Sequence, residues 1–184
     1  NIKDEADYVF YQLTNEQKKV LDFISDQQTV AIQGSAGTGK TFIAVEQAKR
    51  LSADKKVLFL CFNRFLYYHL DNKCKLDNVD YYNLHTFLSK YSSDDISTDD
   101  RCLKALKNID FENDLDYQAI IIDEAQDISD KILIEFYEIC KRLNYNLYLF
   151  YDKNQMLFQN KLPKCLEEFD CKLTLTKNCR NTLK

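Results

Sequence analysis

The sequence predicts an α/β fold, a parallel sheet flanked by helices on both faces. Three observations carry this expectation. Short apolar runs alternate with amphipathic runs of helical length. All three glycines of the chain fall in one window, residues 34–41, between such an apolar run and such a helix. A further apolar run, Ala119-Ile120-Ile121-Ile122, ends in the adjacent carboxylates Asp123 and Glu124.

The elements follow in order. Thr14-Asn15-Glu16-Gln17 opens an amphipathic helix, with Thr14 at the N-cap, Gln17 at the capping-box position, and Val20, Leu21 and Ile24 apolar. Residues 29–33 read as a buried strand. A helix follows over 41–51, with Ile43, Ala44, Ala48 and Leu51 on one side. Residues 57–62 are continuously apolar, the pattern of a strand covered on both faces. Helices are expected at 65–70 and 85–91 and a weaker strand at 79–82. Residues 92–100, rich in Asp and Ser, read as a solvated loop, and 102–109 as a helix. Residues 129–143 form a strongly amphipathic helix, and strands close the pattern at 147–151 and 172–176.

A length of 184 residues suits one domain with a sizeable core. Hydrophobic residues at 45% and charged residues at 29% exclude collagen-like and wholly disordered chains. No apolar run approaches the length of a bilayer span, so no membrane association is expected. A net charge of −4 excludes a globally basic nucleic-acid binder but leaves room for a local basic groove. Seven cysteines without a CxxC pair, beside two histidines, give neither a disulfide framework nor a zinc site. They read as reduced thiols in the cytoplasm. Asn1 reads as the start of an excised fragment, with residues 1–12 a lead-in or linker.

The window Gly34-Ser35-Ala36-Gly37-Thr38-Gly39-Lys40-Thr41 matches G-x-x-x-x-G-K-[ST] in full, in the strand-to-helix context the pattern requires. Successive backbone N–H groups and the helix N-terminus suit a phosphate. Lys40 would reach the β- and γ-phosphates, and the Thr41 hydroxyl would ligate Mg²⁺. A glycine-rich turn without a ligand explains neither Lys40-Thr41 nor the lack of glycine elsewhere. Asp123, at the end of a buried strand, is placed to hold the same Mg²⁺, and Glu124 to accept a proton from an attacking water. Asp152 and Gln155 follow a strand, where a polar side chain can touch both γ-phosphate and water. The Arg180 guanidinium suits charge on a transferring phosphoryl group.

With these pieces in order, residues 13–180 resemble the N-terminal RecA-like ATP-binding lobe of UvrD/Rep-type superfamily 1 helicases. The likeness is closest to the helicase-like modules of bacterial nuclease-related-domain proteins. Leu13-Thr14-Asn15-Glu16-Gln17 looks like the family's glutamine motif, which implies that Gln17 reads the adenine edge. Asp123-Glu124-Ala125-Gln126-Asp127 matches a signature fairly specific to the group. Asp152-Lys153-Asn154-Gln155 and Asn178-Cys179-Arg180-Asn181 resemble motifs whose Gln and Arg contact the γ-phosphate. Cys61-Phe62-Asn63-Arg64 and Leu84-His85-Thr86-Phe87 resemble DNA-facing motifs, which implies contacts to single-stranded DNA from Phe62, Asn63, Arg64 and His85. The chain departs from the family at Cys179, where an adenine-stacking tyrosine is usual, at Tyr151 in place of glycine, and at Asn160 in place of tryptophan.

The resemblance implies a RecA-like P-loop NTPase lobe over 13–184 with a small insertion at about 89–117. Its cofactors are ATP and Mg²⁺, and its partners are single-stranded DNA, a second RecA-like lobe and an upstream nuclease-related domain. The implied activity is ATP hydrolysis driving helicase or translocase movement, weak in this lobe alone. The alternative is a nucleotide-gated regulatory or scaffold module attached to a nuclease, without unwinding. A small-molecule P-loop kinase fits less well, for want of an arginine-rich lid.

Overall fold

The computed structural model describes residues 15–61, 76–92, 96–152 and 164–176. Strands β1 (Thr29–Gly34), β2 (Val57–Cys61), β3 (Val79–Asn83), β4 (Ala119–Asp123), β5 (Asn146–Tyr151) and β6 (Cys171–Leu175) form one sheet in the order β3-β2-β4-β5-β1-β6. Every pairing is parallel. All strands therefore end on the same edge, and the loops that leave that edge can share one site.

Period-two alternation sends the side chains of the inner strands β1, β2, β4 and β5 to two separate cores. On one face, Leu58, Leu60, Ile120, Ile122, Leu147 and Leu149 pack under α3 (Leu84–Tyr91), α4 (Asp99–Lys107) and α5 (Asp130–Leu143). On the other, Val30, Ile32, Phe59, Ile121, Tyr148 and Phe150 pack under α1 (Asn15–Ile24) and α2 (Lys40–Leu51). The inner strands β2 and β4 are buried along their whole length, which is why they read as unbroken apolar runs rather than alternating ones. The expected α/β architecture, with helices on both faces, is what the chain adopts.

Several boundaries differ from expectation. Helix α4 begins at Asp99, inside the stretch read as loop, because the Thr98 hydroxyl caps it by accepting from the Arg101 N–H at 3.4 Å. Asp99 and Asp100 then lie in the first turn, where the helix dipole favours acids. The helix ends at Lys107, two residues short of the predicted Ile109. Strand β6 starts one residue early, at Cys171. It is an edge strand with a partly exposed middle, so its apolar pattern marks its register weakly. The weak strand at 79–82 is the opposite edge, β3, whose burial alternates along its length.

Among the described residues no helix is long and apolar enough to cross a membrane. The described cysteines, Cys61, Cys102, Cys140, Cys165 and Cys171, are all buried, and none of them forms a disulfide. The predicted helix at 65–70 and the Thr14 cap lie outside the described residues.

Candidate nucleotide site

The glycine window forms the turn from β1 into α2, and each of two glycines is there for a distinct reason. At Gly34 a side chain would collide with Thr38 Oγ1 and stand 3.3 Å from Leu175 Cβ and from Lys40 Cγ. Gly39 has φ +91°, left-handed backbone that L side chains avoid. Thr38 ties the turn together, its hydroxyl and its N–H both donating to Ser35 O, at 2.8 and 3.2 Å.

Helix α2 opens without a side-chain cap and without an acid in its first turn. The amides of a first turn have no intrahelical acceptor, and the dipole there favours negative charge. Helices α3 and α4, by contrast, are capped by Asn83 and Thr98. The α2 terminus thus presents a cradle of uncompensated positive potential, which fits a phosphate. Lys40 is 5% exposed, and its ammonium donates to Gly34 O at 2.9 Å and Ser35 O at 3.3 Å, so it already lies across the loop.

Gln17 is buried on α1, and its amide nitrogen lies 3.0 Å from where a Cβ on Gly39 would stand. Leu21 and Ile24 of α1 share a buried cluster with Ile43, Ala44, Ala48 and Leu51 of α2, and Asp22 meets Arg50 at 2.8 Å at its surface. This docking places Gln17 at the side of the loop.

The acid pair arrives from β4. The Thr41 hydroxyl donates to Asp123 Oδ2 at 2.6 Å, joining residues 82 positions apart. Asp123 is fully buried, and burial pushes its carboxyl up to about 6. The Thr41 bond works against that rise and the neighbouring Glu124 charge adds to it. A hydroxyl and a carboxylate are the hard oxygen donors Mg²⁺ takes, and a cation would relieve the cost of charging Asp123 where it sits. Among the described residues no three His, Cys, Asp or Glu side chains gather to hold a metal. Thr41 and Asp123 could supply two ligands, and phosphate oxygens and water would complete the shell.

Glu124 adopts left-handed backbone, φ 54° and ψ 44°, which costs a non-glycine residue roughly 1–2 kcal/mol. Its N–H donates to Asp123 Oδ1 at 3.0 Å. A 3-10 turn, Ala125–Asp127, follows and folds Gln126 back, so that its amide nitrogen donates to Glu124 Oε2. Gln126 Oε1 accepts from the Asp152 N–H at 3.0 Å. The residue patterns named Gln126 only as part of a signature. No periodicity or spacing signal could have shown that it bridges β4 to the end of β5.

Of the predicted site residues, Gly34, Ser35, Ala36, Gly37, Thr38, Gly39, Lys40, Thr41, Gln17, Asp123 and Glu124 come from three elements that meet at one edge of the sheet. His85 is the second residue of α3, half-buried, with its N–H donating to the Asn83 side chain at 3.1 Å. Phe62, Asn63, Arg64, Gln155 and Arg180 lie outside the described residues.

Three solved structures share the fold. Pif1 helicase from Candida albicans is 18% identical with a TM-score of 0.50, over 89% of this chain and 39% of that one. Pif1 helicase from Bacteroides in complex with ADP-AlF3 and ssDNA is 15% identical with a TM-score of 0.52, over 90% of this chain and 42% of that one. The large terminase from a thermophilic bacteriophage is 12% identical with a TM-score of 0.59, over 94% of this chain and 48% of that one. This chain thus spans less than half the length of each. No curated protein sequence matches. Residues 17–160, which include the phosphate loop and the acid pair, match the AAA domain family AAA_19. The chain belongs to that family.

Proposed function

We propose that the chain is the ATP-binding and hydrolysing lobe of a superfamily 1 DNA helicase or single-stranded DNA translocase, of the UvrD/Rep type. The observation that carries the reading is the 2.6 Å contact between Thr41 and Asp123, which joins the phosphate loop to the acid pair. Membership of the AAA_19 family supports it. So does a fold shared with a Pif1 helicase captured with ADP-AlF3 and ssDNA.

On this reading Gly34 to Thr41 wrap the phosphates, and Lys40 turns from the loop carbonyls to the β- and γ-phosphates. Thr41 and Asp123 would hold Mg²⁺, which supplies neutralising charge on the β- and γ-oxygens when bound. Glu124 accepts the proton of the attacking water. Gln17 reads the adenine edge, and Gln155 and Arg180 sense the γ-phosphate. Phe62, Asn63, Arg64 and His85 face single-stranded DNA. A second RecA-like lobe and an upstream nuclease-related domain belong to the same reading of the whole protein, as does a place in the bacterial cytoplasm.

The test measures MgATP binding and hydrolysis by the chain, with Lys40→Ala and Glu124→Gln beside it. Lys40→Ala should lose binding, whereas Glu124→Gln should bind and not hydrolyse. Wild-type protein that fails to bind MgATP refutes the reading. Salt-sensitive binding of single-stranded DNA by the full-length protein supports the motor over a nucleotide-gated scaffold.

A further inference from the structure

We propose that Gln126 is a positioning residue that ties Glu124 to the backbone at the end of β5. The inference rests on the nucleotide-hydrolysing reading, in which Glu124 is the general base.

Gln126 is 2% exposed and uses both ends of its amide. The nitrogen donates to Glu124 Oε2, and the oxygen accepts from the Asp152 N–H at 3.0 Å. Asp152, itself 5% exposed, is the residue at which the chain leaves β5. An amide offers a donor and an acceptor from one planar group. A carboxylate at this position could not donate to Glu124, and a thioether has no donor and only a weak acceptor. Buried polar groups without partners are costly, so the choice of glutamine is dictated by what lies on each side.

The local backbone serves this arrangement. The left-handed Glu124 starts a tight turn closed by the Asp127 N–H donating to Glu124 O at 3.0 Å. That turn brings the side chain two residues on back against the Glu124 carboxylate. A glutamate that is only half-buried would otherwise sample several rotamers. Misplacing a reacting group by about 1 Å costs on the order of 100-fold in rate. Because its other end is fixed to Asp152, the carboxylate takes its position from the end of β5 as well as from β4. A shift of the chain where it leaves β5 is therefore transmitted to Glu124.

The experiment compares wild type, Gln126→Met and Glu124→Gln in the full chain. It measures MgATP affinity, single-turnover hydrolysis and the amide exchange rate of Asp152 by NMR. Gln126→Met should bind MgATP within about threefold of wild type while hydrolysis falls roughly 10- to 100-fold. The Asp152 amide should exchange at least about tenfold faster, its acceptor having gone. Hydrolysis at the wild-type rate, a loss only in proportion to lost binding, or unchanged exchange at Asp152 each overturns the proposal. Wild-type protein that does not bind MgATP, or Glu124→Gln that hydrolyses normally, refutes instead the reading of the site on which the proposal rests, and the proposal with it. Where turnover by the chain is too slow to follow, the exchange rate at Asp152 decides.

Discussion

Thr41 on the first turn of α2 and Asp123 at the end of β4 meet at 2.6 Å, although β5 lies between β4 and β1, the strand that leads into α2. Neighbouring strands are about 4.8 Å apart, so the ends of β1 and β4 are separated by roughly 10 Å. The helix start spans that gap. Its first turn carries the hydroxyl over the intervening strand to the carboxylate.

This contact predicts a metal-specific defect. Asp123→Asn keeps an acceptor for Thr41 but removes the charge a divalent cation needs. Nucleotide binding without Mg²⁺ should change by less than about twofold, whereas the strengthening by Mg²⁺ should fall at least about tenfold. Titration of a fluorescent ATP analogue with and without Mg²⁺ checks it. Equal loss in both conditions would place Asp123 in the fold rather than at the metal.

Gly39→Ala should uncouple the loop from the fold. A methyl group there meets φ +91° and the Gln17 amide at 3.0 Å. The left-handed penalty is about 1–2 kcal/mol, small enough for the domain to survive. Nucleotide affinity should nevertheless drop more than about tenfold, because the amides that follow Gly39 lose their aim. Urea denaturation and binding, measured on the same sample, separate the two effects.

Tyr148 makes stability depend on alkaline pH. Its hydroxyl donates toward Ile24 O and Gln27 O, each at 3.2 Å, beneath the end of α1. Burial pushes its phenol up to about 12. The fold therefore favours the neutral form. This contribution is complete below the unfolded value near 10 and is lost as pH rises through about 12. Over that window wild type should lose about 2–3 kcal/mol relative to Tyr148→Phe, which has no proton to lose. Parallel denaturation curves for the two proteins from pH 9 to about 12 would contradict this.

Phe111 should prove structural despite lying in a stretch with little regular structure. It is 1% exposed, with its ring centroid 6.1 Å from Phe87 and 6.4 Å from Phe136. It thus links α3 to α5. Phe111→Ala should cost about 3–5 kcal/mol in chemical denaturation and leave nucleotide affinity per folded molecule unchanged.

The central strands were legible because they are covered twice. Val57 to Cys61 and Ala119 to Asp123 bury every residue, so apolar content alone marks them. Edges and caps were less legible. Asp99 and Asp100 look like solvent-loving loop until Thr98 is seen to cap the helix they begin. The phosphate loop was readable because its chemistry is local: spacing, glycine and a strand-helix boundary suffice. Gln126 was not, because its meaning depends on Asp152, which is 26 residues away.

What the linear order of residues determined by itself was the set of parts: a glycine turn between strand and helix, a carboxylate pair ending an apolar run, and a sheet buried on both sides. Only the tertiary structure decided their relation. Parallel pairing put the ends of β1, β4 and β5 on one edge, and the left-handed turn at Glu124 aimed Gln126 back across it. The physical reason is one of range. Turn chemistry and side-chain period act over a few residues, whereas the site is made by hydrogen bonds between groups brought together by the burial of two cores.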